Sequence, residues 1–280
     1  MQLGIFARTF VRPTLEEVLD AVKGHGLNCI QFNMACAGLP SMPDEIDPTL
    51  CDRIRRGMAA RGLTMVAVSG TFNMIHPDPS ERQRGLRRLA VLAAACKRLG
   101  TAAISLCTGT RDPDDKWRHH PDNATPQAWR DLVRSMETAL QIADAHEITL
   151  GVEPEVSNVV DSAAKARRLL DETGSTRLKI VIDAANLFPA GSLSQQHRVL
   201  EEAFVLLGEE IIIAHAKDLS RDGEAGQEAA GTGLLDYDHY LALLHNNGFD
   251  GPLLLHSLAE SQVPRSVQFL QQRLAHSPYR

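Results

Sequence analysis

Glu153, Asp183, His215 and His256 share one setting: each directly follows a short apolar run, Leu150-Gly151-Val152, Ile180-Val181-Ile182, Ile211-Ile212-Ile213-Ala214 and Leu253-Leu254-Leu255. Carboxylates and imidazoles rarely end a buried strand unless they are paired or bind a metal, because burying charge is costly. Two carboxylates and two imidazoles meeting at one point balance each other poorly alone but suit a divalent cation. Mixed oxygen and nitrogen donors fit Mn²⁺, Co²⁺, Zn²⁺ or Fe²⁺ rather than Ca²⁺, with Mg²⁺ less natural beside two histidines. One divalent metal ion, Mn²⁺ foremost, is the expected cofactor, with Glu153, Asp183, His215 and His256 as its ligands.

Glu153 has a second expected role, the removal of a proton from a carbon next to a carbonyl, with the developing enediolate stabilised by the ion. The competing reading is a buried carboxylate in a structural ion pair. Three partners in register favour the metal. His256 is either a fourth ligand or a hydrogen-bond partner to one. Side chains two apart on an extended strand face the same way, so Lys217 is expected to point with His215, and Glu155 with Glu153. Lys217 would bind a substrate hydroxyl or a developing oxyanion, or act as an acid. Alternatively it is a rim lysine paired with Asp218. Glu155 is a second base, an orienting group or a solvated loop carboxylate. Asn186 reaches a substrate hydroxyl or caps local backbone, and Glu260 is a weaker candidate.

These residues need a scaffold, and the chain supplies an alternation of short β-branched runs with longer stretches of helical period. Strands are expected at 3–7, 27–33, 64–68, 102–107, 149–152, 178–182, 211–214 and 252–255. Helices are expected after each, the first opening with Thr14 at its cap and Glu17 three residues on. Gly26, Gly62, Gly100, Gly174 and Gly248 fall where a left-handed residue would end a helix. Eight strand–helix units with no Gly-rich phosphate turn after the first strand predict an α/β fold, a single (β/α)8 TIM barrel forming one domain over 1–280. Functional groups then gather at the C-terminal strand ends. The first four strands end in Arg8, Asn33, Ser69-Gly70 and Cys107-Thr108, a half that would cover substrate. Two long loops stand out. Residues 110–124 carry Trp117, His119 and His120 and form a lid or a solvated excursion. Residues 219–234 carry Gly231-Thr232-Gly233, whose backbone N–H groups could approach a substrate oxygen or phosphate.

Composition narrows the partners. With 29 Lys+Arg against 35 Asp+Glu the formal charge is −6, which gives no footprint for nucleic acid. No apolar run approaches the roughly 20 residues of a membrane span. The N-terminus reads as a strand without a secretory signal. Five cysteines without CxxC spacing suit a reducing, cytoplasmic compartment.

The segments Gly151-Val152-Glu153-Pro154-Glu155, Val181-Ile182-Asp183-Ala184-Ala185-Asn186-Leu187 and His215-Ala216-Lys217-Asp218, with Gly231-Thr232-Gly233, resemble the xylose-isomerase-like TIM-barrel superfamily. That group holds sugar and sugar-phosphate isomerases and epimerases, inosose dehydratases and, more distantly, endonuclease IV. The resemblance spans the whole chain and implies a sugar or polyol substrate and self-association into a homo-oligomer. It also implies that Asn73 and His76, in the loop Thr71–Asp78, stand on the substrate side, whereas the residues alone read equally as a capping turn before Ser80. One position departs: ketose 3-epimerases carry a glutamate where this chain has His256, so the pair of glutamates flanking their sugar is not retained. The expected function is a metal-dependent sugar, sugar-phosphate or polyol isomerase or epimerase. A dehydratase acting on a keto-sugar or keto-inositol is the alternative, since loss of a β-hydroxyl from the same enediolate needs the same parts. An endonuclease IV-like hydrolase would want more ligands and a basic face, and a non-catalytic sugar-binding barrel would lack the metal.

Overall fold

In the computed structural model, which describes residues 1–276, the apolar runs close into a ring of eight parallel strands. In chain order these are β1 (Gln2–Phe6), β2 (Cys29–Phe32), β3 (Thr64–Ser69), β4 (Ala103–Cys107), β5 (Thr149–Glu153), β6 (Leu178–Asp183), β7 (Ile211–Asp218) and, after a two-residue strand β8 (Glu228–Ala229), β9 (Pro252–Leu255). Each pairs with its chain neighbour, β9 returns to β1, and β7 pairs with β6 and β9. Among the described residues only β8 is antiparallel, folded back on the end of β7. Eight helices wrap the ring: α1 (Leu15–Gly24), α2 (Pro48–Ala60), α3 (Pro79–Leu99), α4 (Pro126–His146), α5 (Ala163–Thr173), α6 (Gln196–Leu207), α7 (Tyr237–Asn246) and α8 (Val263–His276). This is the closed (β/α)8 barrel that the sequence pattern predicts. Residues 277–280 of the expected domain lie outside the described residues. Among the described residues no helix is long and apolar enough to cross a membrane.

The helix boundaries follow from local chemistry. Thr14 Oγ1 accepts the N–H of Glu17 at 3.3 Å, capping α1. The five glycines expected at helix ends all have positive φ, from 58° at Gly174 to 88° at Gly100.

Strand periodicity builds the site. Cys29, Ala67, Val181, Ile213 and Leu254 pack together as an apolar plug. The side chains two residues further along the same strands are Gln31, Ser69, Asp183, His215 and His256. β1 and β5 contribute glycines to the plug layer. A Cβ at Gly4 would lie 2.4 Å from the Cys29 carbonyl oxygen, and one at Gly151 2.8 Å from Val181 Cγ2. The residues two beyond these glycines are Phe6 and Glu153. An apolar floor thus carries a polar layer at the C-terminal mouth.

Candidate metal centre

His215 is the centre of the polar layer. Its Nδ1 stands 3.5 Å from Glu153 Oε1 and 3.6 Å from Asp183 Oδ2. The register that sets Asp183 beside His215 is fixed by the β6–β7 ladder. Lys217, two residues on, places Nζ 3.1 Å from Asp183 Oδ2 and donates to Asn186 Oδ1 at 2.6 Å. Asn186 Nδ2 donates in turn to Glu153 Oε1 at 2.7 Å. Asn186 therefore bridges the Glu153 carboxylate and the Lys217 ammonium. Lys217 is not the rim lysine of the alternative reading, for it is 3% exposed and Asp218 is engaged elsewhere.

The charges are strongly interdependent. Burial alone would raise the Glu153 and Asp183 carboxyls. His215 outweighs it at Glu153, and the charge of Lys217 with the His215 contact outweighs it at Asp183, so both are held below the usual range. Burial would lower His215, but the two carboxylates push it up to about 9. The two buried carboxylates thus hold positive charge between them, either a proton on His215 or a cation in its place. Asp183 Oδ2 and His215 Nδ1 are both buried without a hydrogen bond, although buried polar atoms are nearly always satisfied. Donors bound to a common ion at about 2.1 Å stand roughly 3.0–3.4 Å apart, so the observed spacings need only slight contraction. Glu153, Asp183 and His215 fit a divalent cation.

His256 belongs to the same cluster, with one ligand atom each from Asp183, His215 and His256 lying within 4.8 Å of the others. Its ring, however, stacks on that of His215, with centroids 4.7 Å apart and planes 8° from parallel. Imidazole lone pairs lie in the ring plane, so two stacked rings do not aim at one ion until one of them turns. In this packing His256 lies against Phe6 and His215 and its Nδ1 contacts Ser257 Oγ at 3.1 Å. Burial and the charge of His215 push it down to about 3, which keeps it neutral.

Glu153 and His256 of the cluster line a cavity of about 1000 Å³, whereas Asp183 and His215 are buried and do not line it. Its charged wall holds Glu153, Glu155 and Lys217, and Gln31, Asn33, Ser69 and Ser105 from the first four strands form a neutral polar wall. Glu155 is 4% exposed, which rules out the solvated-loop reading. Burial, then the charge of Glu153, push it up to about 7.

Several expectations are corrected. Asn73 and His76 do not line the cavity. Asn73 donates to Thr110 O at 2.8 Å and accepts from Thr110 N at 3.1 Å, while His76 Nε2 contacts Pro113 O at 3.0 Å. Both staple the β3 exit to the β4 exit. Gly231 N donates to Asp218 Oδ2 at 3.1 Å, so the glycine loop serves Asp218, and Gly223, Glu224 and Gln227 face the cavity instead. Glu260 pairs with Arg12 at 2.5 Å, away from the cavity lining. The lid reading of the β4 loop gains support, because Lys116, Trp117 and His119 line the cavity. Gln31 escaped the sequence reading. Its Oε1 meets His215 Nε2 at 2.9 Å and its Nε2 donates to Ser105 Oγ at 3.0 Å. The available signal was a glutamine inside the apolar run Cys29-Ile30-Gln31-Phe32.

The sequence profile of the xylose isomerase-like TIM-barrel family matches residues 19–273. No curated protein matches the chain in sequence. Among solved structures, the E. coli 3-keto-D-glucoside 4-epimerase superposes with a TM-score of 0.76 at 15% identity, over 97% of this chain and 99% of its own. An L-ribulose 3-epimerase gives 0.76 at 16% identity, over 99% and 95%. A Methylomonas D-allulose 3-epimerase in complex with D-allulose gives 0.73 at 13%, over 98% and 97%. At such identities these likenesses establish the fold.

Proposed function

The chain belongs to the xylose isomerase-like TIM-barrel family, and we propose that it is a metal-dependent isomerase or epimerase acting on a small sugar, sugar phosphate or polyol. The observation that carries this reading is the approach of Glu153 Oε1 and Asp183 Oδ2 to the single atom His215 Nδ1, at 3.5 and 3.6 Å, beside a cavity that Glu153 and His256 line. Glu153, Asp183 and His215 would hold the ion, with His256 joining them once its ring turns. Mn²⁺ suits these mixed donors, as do Co²⁺, Zn²⁺, Fe²⁺ and Mg²⁺. When bound, the ion would stabilise the negative charge that develops on substrate oxygens as a proton leaves carbon.

Glu153 takes that proton from the carbon next to the carbonyl, its free oxygen oriented by the Asn186 contact on the other. Lys217, fixed by Asn186 and Asp183, offers an N–H to the oxygen on which charge develops. Gln31, Asn33, Ser69 and Ser105 read the remaining hydroxyls without adding charge. Return of that proton by Glu153 to the neighbouring carbon, as the enediolate's other oxygen loses its own proton, gives the isomer, whereas an epimer requires a second group to protonate the opposite face of the original carbon.

Dehydration is the second reading, and one arrangement favours it. The other carboxyl in the cavity, Glu155, leaves the same strand end as Glu153, so the two do not flank a sugar from opposite walls. Acting on one face, Glu153 would take the carbon proton and Glu155 would assist departure of a β-hydroxyl.

The test is product analysis in D₂O with Mn²⁺ and a panel of ketoses, keto-inositols and oxidised glycosides. Carbon-bound deuterium without loss of water supports isomerisation, and a dehydrated product supports the lyase. Glu153→Gln is expected to fold normally and lose at least 10³-fold in turnover, in line with removal of a general base of about 10²–10⁴-fold effect. Parental activity in that variant excludes Glu153 as the base.

A further inference from the structure

The cavity is larger than the ring that Glu153 and Lys217 can address. Its volume of about 1000 Å³ reaches the top of the range, about 300–1,000 Å³, of sites that enclose drug-sized ligands. Its lining also changes outward, from the charged floor to a rim that carries Arg8, Lys116 and Trp117. Trp117 is 44% exposed, yet its backbone is fixed. Trp117 N donates to Asp115 Oδ1 at 2.9 Å, Asp114 N and Asp115 N donate to Asp112 Oδ1 at 2.9 Å each, and Arg118 grips the Asp112 carboxylate at 2.6 and 2.7 Å. Lys116 Nζ anchors the segment to Thr71 O at 2.9 Å and to Thr71 Oγ1 at 3.4 Å. The other tryptophan, Trp129, shows what a structural indole looks like in this chain: it is 8% exposed, with Nε1 on Glu172 at 2.8 Å and the Arg168 guanidinium over its ring. An exposed indole on a fixed backbone, lining a cavity, adds little to folding and offers a flat apolar face to a ligand.

We propose that Trp117 is the platform of an outer subsite that stacks on the C–H face of a second ring, so that the substrate is a glycoside or disaccharide rather than a free monosaccharide. Lys116 Nζ, which donates to Thr71, also stands 5.4 Å over the Trp117 ring, so it covers one indole face and leaves the other for that second ring. The inference rests on the sugar-enzyme reading of the inner site and adds the substrate class.

The experiment is calorimetric titration of the Mn²⁺-loaded protein and of its W117A and W117F variants with glucose and fructose against maltose, cellobiose and sucrose, alongside carbon–hydrogen exchange in D₂O. At least one disaccharide is expected to bind tenfold or more tighter than either monosaccharide. W117A should bring that ratio within twofold of unity, and W117F should retain most of it. Absence of any preference for the longer sugar, or a preference that W117A leaves intact, overturns the subsite. A Trp117-dependent preference without carbon exchange for any sugar contradicts the inner-site chemistry instead and leaves the subsite standing.

Discussion

Gln31 Oε1 lies 2.9 Å from His215 Nε2 across the barrel mouth, with both side chains buried. The contact ties the neutral half of the barrel to the charged half. Because the Gln31 amide nitrogen donates to Ser105 Oγ, its carbonyl faces His215 and holds a hydrogen on Nε2. The other ring nitrogen, Nδ1, thereby faces Glu153 and Asp183 and would become a ligand atom once a cation displaces its proton.

Gln31→Leu removes that acceptor while keeping an apolar body in the strand. Mn²⁺ affinity is expected to fall about 10–100-fold, the usual effect of losing such a partner to a metal-binding imidazole. Calorimetric titration with Mn²⁺ reads the change directly, and circular dichroism verifies the fold. Equal affinity in the variant would show that the Gln31 contact does not orient the ligand.

Asp131 predicts an acid limb of stability unrelated to the site. Burial alone would raise its carboxyl, but the Arg111 hydrogen bond at 2.5 Å and the charges of Arg82 and Arg111 hold it below the usual range. A carboxyl depressed in the folded state stabilises above its unfolded pKa of about 3.9, and that contribution is lost as pH falls through the folded value. Asp131→Asn should therefore cost about 3 kcal/mol near neutrality, the scale for breaking a buried pair. The gap between the two proteins should narrow as pH falls below about 3.9 and close only below the depressed folded value. Urea unfolding between pH 3 and pH 7 checks this, and a constant gap across that range refutes the assignment.

Gly4 tests the packing beneath the site. A methyl group there would lie 2.4 Å from both the Cys29 carbonyl oxygen and Cys29 Sγ, and 2.6 Å from Leu254 Cδ2. Gly4→Ala should destabilise by about 1–3 kcal/mol through overpacking. A urea midpoint unchanged from wild type would mean that the plug relaxes freely.

Period-2 alternation made much of the site legible before any coordinates. Ile213, His215 and Lys217 read as one face of a strand, and they occupy one face. Asn186 was also legible, as a polar residue three beyond the strand-ending Asp183. The loops were not legible, because their contacts join segments far apart in sequence. Asn73 and His76 look like cavity residues until the β4 exit arrives to take their hydrogen bonds, 37 residues downstream in each case. Glu155 could not be told from a solvated carboxylate, since its burial depends on Asn158 and Ser157 folding back over it. The orientation of His256 was equally out of reach. A position in sequence assigns a residue to a rim, but ring stacking on His215 decides where its lone pair points.

The proposed chemistry depends on a divalent ion held between Glu153, Asp183 and His215, and metal titration of the wild type beside Asp183→Asn tests that ion most directly. With chelator-treated protein and Mn²⁺ followed by electron paramagnetic resonance, the wild type should take up one equivalent. Asp183→Asn should lose at least a hundredfold in affinity while remaining folded. A wild type that binds no Mn²⁺, Co²⁺ or Zn²⁺, or an Asp183→Asn protein that binds as the parent does, would contradict it.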